Sequence, residues 1–149
     1  MSGQVIGRPM EILLVEDGLL DARLAIVALK RSGLIHRLTL LRDGAEALAF
    51  LHRAGKFARA PRPDLILLDL LLPKLNGFEV LADLRADDTL REIPVVILTA
   101  ADDEDFPARA ELYDVEHFIR KPVNFGKFLE TVRKLRSYWH QDLTLPSLD

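Results

Sequence analysis

Asp64-Leu65-Ile66-Leu67-Leu68-Asp69-Leu70-Leu71-Leu72-Pro73 is an almost unbroken apolar run with one carboxylate at its centre. Its Leu and Ile content, with Pro61 and Pro63 before it and Pro73 closing it, marks a strand buried on both faces, the pattern of a parallel sheet. Asp69 is the exception. An ionised carboxylate removed from water costs several kcal/mol unless it is paired, hydrogen-bonded or metal-bound, so the rest of the chain must supply partners.

Upstream, Glu11-Ile12-Leu13-Leu14-Val15 is a second apolar run that ends directly in Glu16-Asp17-Gly18. From Leu19 the spacing turns helical: Leu20, Leu24, Val27 and Ala28 share a face, Lys30 and Arg31 fill the last turn, and Gly33 stops it. Arg37 to Leu41 reads as a second strand. Asp43-Gly44 then opens a helix carrying Ala47, Leu48 and Leu51 that ends near Gly55, and Lys56 to Pro63 is a surface loop. Downstream of Pro73, Lys74-Leu75-Asn76-Gly77 is a turn, followed by a helix with Phe78, Val80, Leu81 and Leu84 that Asp87-Asp88 closes. Ile93 to Leu98 is a fourth strand running into Thr99, and Asp102 to Tyr113 is acidic, with Pro107 in the first turn of a fourth helix. Glu116 to Arg120 is a fifth strand ending at Lys121-Pro122. A last helix, capped by Asn124, carries Phe125, Phe128, Leu129, Val132, Leu135 and Trp139 as an apolar stripe. This alternation predicts an α/β fold, a doubly wound five-stranded parallel sheet with helices on both faces.

At 149 residues and 49% hydrophobic content the chain suits one domain with a full core. We expect a flexible N-terminus over 1–10, the folded domain over 11–140 and a C-terminal extension over 141–149. A net charge of -3 leaves no footprint for DNA or an anionic membrane, and Arg133-Lys134-Leu135-Arg136 reads as a solvated helix face. The absence of cysteine excludes disulfides and thiol chemistry. No apolar run reaches membrane-spanning length and Met1 to Met10 holds no signal-peptide core, so the expected location is the cytoplasm.

In a doubly wound sheet, functional groups gather at the carboxyl ends of the strands beside the point where strand order reverses. Here the strands end in Glu16-Asp17, Asp69, Thr99 and Lys121. Three converging carboxylates repel one another unless a cation neutralises them, and an all-oxygen set suits Mg²⁺. A hydroxyl and an ammonium opposite suit phosphoryl oxygens. Asp69 is then a nucleophile for a phosphoryl group in an in-line displacement, with Lys121 balancing charge. Each piece has a plain reading too: Glu16-Asp17 as a helix cap, Asp69 as a turn residue, Thr99 as an ordinary strand end, Lys121 as a chance lysine before proline. Their joint occurrence at successive strand ends favours the site.

These residues resemble the receiver domain of two-component response regulators over nearly the whole chain, from about Glu11 to Trp139. The resemblance implies the flavodoxin-like receiver fold with strand order 2-1-3-4-5. It also implies Asp69 as phosphoacceptor, Glu16, Asp17 and Asp69 with the Leu71 carbonyl as Mg²⁺ ligands, Thr99 and Lys121 as phosphoryl-binding pair, and Thr99 with Phe118 as the switch. Asp43 to Leu51, Pro61 to Asp69 and the tail from Tyr138-Trp139 to Leu145-Pro146 look like the single-domain regulators associated with bacterial phytochromes. That implies a sensor histidine kinase as partner, with a bacteriophytochrome as the candidate. It also implies a homodimer through the last helix and extension, with Trp139, Leu143 and Leu145 as contacts. Ten residues follow Trp139, so the output is expected to be a partner protein or onward phosphotransfer.

The chain departs from the family at Asp114-Val115-Glu116, where Gly-Ala is usual, and at Asn76, where an acid is common. Leu71 and Ala101 stand where side chains often influence water attack on the phosphoryl group, and an apolar pair implies slow self-dephosphorylation. An FMN-binding flavodoxin would need a hydroxyl-rich phosphate loop after strand one, where Glu16-Asp17 would repel the phosphate. An aspartyl-phosphate phosphatase would need its nucleophile on strand one and a second Asp where Leu71 stands. The alternative of another class is a phosphorylation-independent receiver-like interaction module.

Overall fold

The computed structural model describes residues 8–70, 72, 74–99, 112–113, 115, 117–121, 126–128 and 130–131, the side chain of Thr99 excepted. Leu71, Ala101, Pro107, Asn124, the start of the expected fourth helix, most of the last helix's stripe and the C-terminal extension lie outside them.

Five strands form one parallel sheet in the order β2-β1-β3-β4-β5: β1 Met10–Val15, β2 His36–Leu41, β3 Leu65–Asp69, β4 Val95–Thr99 and β5 His117–Arg120. Between them lie α1 Leu19–Arg31, α2 Gly44–Leu51 and α3 Gly77–Ala86, and residues 126–128 and 130–131 are helical beyond β5. β4 starts two residues later than the apolar run suggested, because Pro94 has no N–H to give a ladder; its carbonyl still accepts from Ile66 N at 3.0 Å. α2 ends at Leu51, short of Gly55, and a single 3₁₀ turn over Gly55–Phe57 interrupts the expected loop.

Strand side chains alternate between two cores, as the pleat requires. Leu13, Val15, Ile66, Leu68, Val95 and Ile97 pack with the buried faces of α2 and α3. Ile12, Leu14, Leu65, Leu67, Val96 and Leu98 pack with α1 and Phe128 on the other side.

The face of α1 is a correction. Leu20 is 70% and Val27 44% exposed and Leu24 is half-buried, while Ala22, Ala25, Ala28 and Leu29 meet the sheet. The buried face is one of small residues, which lets the helix axis sit close to the strands; the larger aliphatic stripe is turned toward solvent.

Two glycines fix the loop after β3. A Cβ on Gly44, at the start of α2, would stand 1.9 Å from the Leu75 carbonyl oxygen, and one on Gly77 would stand 2.7 Å from that of Asp69. Backbone from the β3–α3 loop therefore fills the space where side chains would be. Lys74 in that loop adopts φ 65° and pairs with the α2 cap, Asp43, at 3.5 Å. The loop leaving Asp69 is thus wedged against two helix starts.

Candidate functional site

The strand order reverses between β1 and β3, so their carboxyl ends flank a crevice. Val15 pairs with Leu68 and Asp69 with Leu98, while Thr99 pairs with Arg120. This register puts Glu16, Asp69 and Lys121 at one edge. The site residues converge because neighbouring strands end within one residue of one another.

Glu16, Asp17 and Asp69 each present an oxygen within 4.8 Å of the others. Glu16 and Asp69 are buried; the Asp17 carbonyl accepts from Arg42 Nη2 at 2.8 Å, which holds its backbone. Lys121 reaches in from the end of β5, its side chain 10% exposed, with Nζ 2.6 Å from Glu16 Oε1 and 3.1 Å from Asp69 Oδ2. Glu16 Oε2 accepts from Gly18 N at 3.0 Å, but Oε1, although close to the ammonium, is buried without hydrogen-bond geometry to any donor. Three acids sharing one lysine, with a buried carboxylate oxygen short of hydrogen-bond geometry, fit a divalent cation that would add positive charge and a ligand-seeking partner for that oxygen.

The electrostatics agree. Burial pushes the Glu16 carboxyl up to about 7, with nearby Asp69 adding to the rise against the opposing pull of Lys121 and Gly18 N–H. Burial alone would lower the Lys121 ammonium, but the Glu16 and Asp69 carboxylates outweigh it and hold the lysine charged well above its ordinary value.

Thr99 closes β4 beside Asp69, its side chain outside the described residues, as is Leu71. Phe118 is half-buried on β5, opposite Ile97 and against the α2–α3 core. One acid escaped the sequence reading. Asp21, in the first turn of α1, places Oδ2 3.3 Å from Lys121 Nζ. In sequence it is a first-turn acid like many that simply favour a helix start. Only the approach of Lys121 across the sheet distinguishes it.

Residues 12–133 match the family described as response regulator receiver domain. The chain belongs to that family. As a receiver domain it is a two-component signalling protein and a phosphoacceptor, and its family implies a sensor kinase as partner. This receiver domain is 42% identical over 139 residues to response regulator Rcp1 of Synechocystis sp., covering 93% of this chain and 95% of that protein. The crystal structure of the Mn²⁺-bound form of Rcp1 superposes with a TM-score of 0.75 over 93% of this chain and 100% of that one. The phosphorylated cyanobacterial phytochrome response regulator RcpA is 42% identical with a TM-score of 0.76, over 94% of this chain and 100% of that one. The bacteriophytochrome response regulator RtBRR is 40% identical with a TM-score of 0.81, over 95% of this receiver domain and 86% of that chain. Among the described residues, no helix is long and apolar enough to cross a membrane.

Proposed function

We propose that Asp69 is the residue that accepts the phosphoryl group, from a phosphohistidine on a sensor kinase. The observation that carries this reading is the position of Lys121 Nζ, 3.1 Å from Asp69 Oδ2 within a cluster of three acids. An Asp69 oxygen attacks phosphorus as the P–N bond to the donor imidazole breaks, and the imidazole leaves neutral after taking up a proton. Lys121 stands where it can meet the charge of the phosphoryl oxygens, and Thr99, beside Asp69 at the end of β4, is assigned the hydroxyl contact. Glu16, Asp17 and Asp69, with the Leu71 carbonyl, would hold Mg²⁺, which when bound supplies charge neutralisation at the transferring group.

Repositioning of Thr99 would then let Phe118 repack, shifting the population of the β4–β5 surface. The Leu71 and Ala101 side chains offer no polar group to orient water, so the acyl phosphate is assigned a long lifetime. A bacteriophytochrome is the proposed kinase, from the likeness to regulators named for phytochromes; the location is assigned to the cytoplasm and the assembly to a homodimer through the last helix and its extension.

The test is intact mass after incubation with acetyl phosphate and Mg²⁺, beside Asp69→Asn, with light scattering on the same samples. One phosphoryl adduct on the wild type and none on the variant is expected. An adduct retained by Asp69→Asn would move the acceptor elsewhere, and no adduct with either small donors or kinase would favour the phosphorylation-independent module.

A further inference from the structure

The three carboxylates around the Lys121 ammonium are not equivalent. Glu16 and Asp69, at 2.6 and 3.1 Å, belong to the acid cluster completed by Asp17. Asp21, at 3.3 Å, does not. It approaches from α1, with a side chain 38% exposed where that of Glu16 is 1% exposed, so it stands at the mouth of the site rather than in its floor. Gly18 lies between the two: a Cβ there would meet Asp21 Oδ2 at 3.4 Å and Glu16 Oε2 at 3.5 Å. Both acids therefore flank Gly18.

We propose that Asp21 is a positioning residue for phosphoryl transfer, acting through Lys121. A divalent cation held by Glu16, Asp17 and Asp69 would neutralise two of the three carboxylates that now hold the ammonium, and its own charge would repel the lysine. The flexible lysine stem could then swing toward water. Asp21 is the partner that keeps its full negative charge in that state. It holds Nζ at the mouth, on the open side of Asp69, where an incoming phosphoryl group needs countercharge. Its effect on the transfer passes through the lysine. This inference rests on the assignment of Asp69 as acceptor.

The experiment uses the full chain as wild type, Asp21→Asn, Asp21→Glu, Lys121→Gln and the Asp21→Asn/Lys121→Gln double variant. Phosphorylation by acetyl phosphate is followed by intact mass across donor and Mg²⁺ concentrations. In parallel, the Lys121 ammonium is observed by ¹H–¹⁵N NMR with Mg²⁺ bound, identified by its loss in Lys121→Gln. Asp21→Asn is expected to lower the maximal rate by about fivefold or more while shifting the half-saturating Mg²⁺ by less than about twofold. Loss of a negative charge at the mouth should meanwhile ease entry of the anionic donor, lowering its half-saturating concentration, the opposite sign to the rate effect. Asp21→Glu should recover the rate to within about twofold, and in the Lys121→Gln background Asp21→Asn should cost nothing further. The ammonium signal should be lost to faster solvent exchange in Asp21→Asn. An unchanged maximal rate, an equal loss in the Lys121→Gln background, an effect on Mg²⁺ alone or an unchanged ammonium signal would each overturn the proposal. Should the wild type take up no phosphoryl group, the acceptor assignment falls, and the ammonium signal by itself decides whether Asp21 holds Lys121.

Discussion

Raising the pH should strengthen Mg²⁺ binding and weaken the metal-free fold, both through Glu16. Its carboxyl moves from an ordinary 4.5 to about 7 on folding, chiefly by burial. The folded chain therefore keeps a proton that the unfolded chain releases, so stability is greatest below the unfolded value and is lost as pH rises through the folded one. At about 1.4 kcal/mol per tenfold change in proton affinity, the ionised form costs about 3 kcal/mol at most. A cation needs the ionised form. At about pH 5.5 only about one molecule in thirty carries it, so the apparent Mg²⁺ affinity should be about thirtyfold weaker than on the plateau above about pH 8. Lys121 stays charged throughout this range, because its proton affinity is raised, and adds no slope of its own. Titration calorimetry in buffers of differing ionisation enthalpy should count about one proton released per Mg²⁺ near pH 6 and almost none near pH 8. Glu16→Gln should bind more weakly and nearly independently of pH. A wild-type affinity that changes by less than about threefold between pH 5.5 and 8 would refute the reasoning, as would an unaltered slope in Glu16→Gln.

Other perturbations follow from contacts remote from the acids. Gly44→Ala drives a methyl toward the Leu75 carbonyl, where 1.9 Å separates them; overpacking of about 1–3 kcal/mol should appear as a lower denaturant midpoint at unchanged m, and a wild-type midpoint would show the loop to be yielding. Asp43→Ala removes the carboxylate whose Oδ1 accepts from Glu46 N at 2.7 Å and whose Oδ2 pairs with Lys74, and should cost about 1 kcal/mol in urea unfolding at neutral pH. The same hydrogen bond holds the Asp43 carboxyl below its usual range, so its contribution is present above the ordinary carboxylate value and fades as pH falls through the lowered one. The gap between Asp43→Ala and wild type should therefore close in acid, and a gap that stays constant would assign the loss to something other than the charged cap. Arg8→Ala strips a two-pronged partner, at 2.7 and 2.8 Å, from buried Asp64. A loss of about 1–3 kcal/mol is expected, limited because Glu11 N still donates to Asp64 at 2.8 Å.

Much of this architecture can be read along the chain because the inner strands β1 and β3 are buried and so appear as plain apolar runs, each ending where its polar residue begins. The placement of Glu16 and Asp69 at strand ends was legible for that reason, while that of Lys121, after the half-buried edge strand β5, was legible from the order of the elements. The exposed stripe of α1 was misread because leucines at helical spacing look like the buried face, whereas the sheet accepts Ala22, Ala25 and Ala28. Bulk marks a helix face only when the depth available to it is known. Asp21 and the Arg8–Asp64 pair were missed for another reason: each depends on a partner far along the chain, which no local pattern announces. The wedge of Leu75 against Gly44 is likewise a tertiary contact, although Asp43-Gly44 did announce the start of α2.

β3 lies between β1 and β4, and all five of its residues are buried. Amide hydrogens in such a strand should exchange only when a large part of the molecule opens, so slow exchange is expected along the segment that carries Asp69. A covalent change at that carboxylate finds no slack beneath it: β3 can neither bend nor slide without breaking two ladders at once. Whatever movement a signal requires must be taken up by what leaves the sheet, and the stiff strand serves as the fixed reference against which that movement is measured.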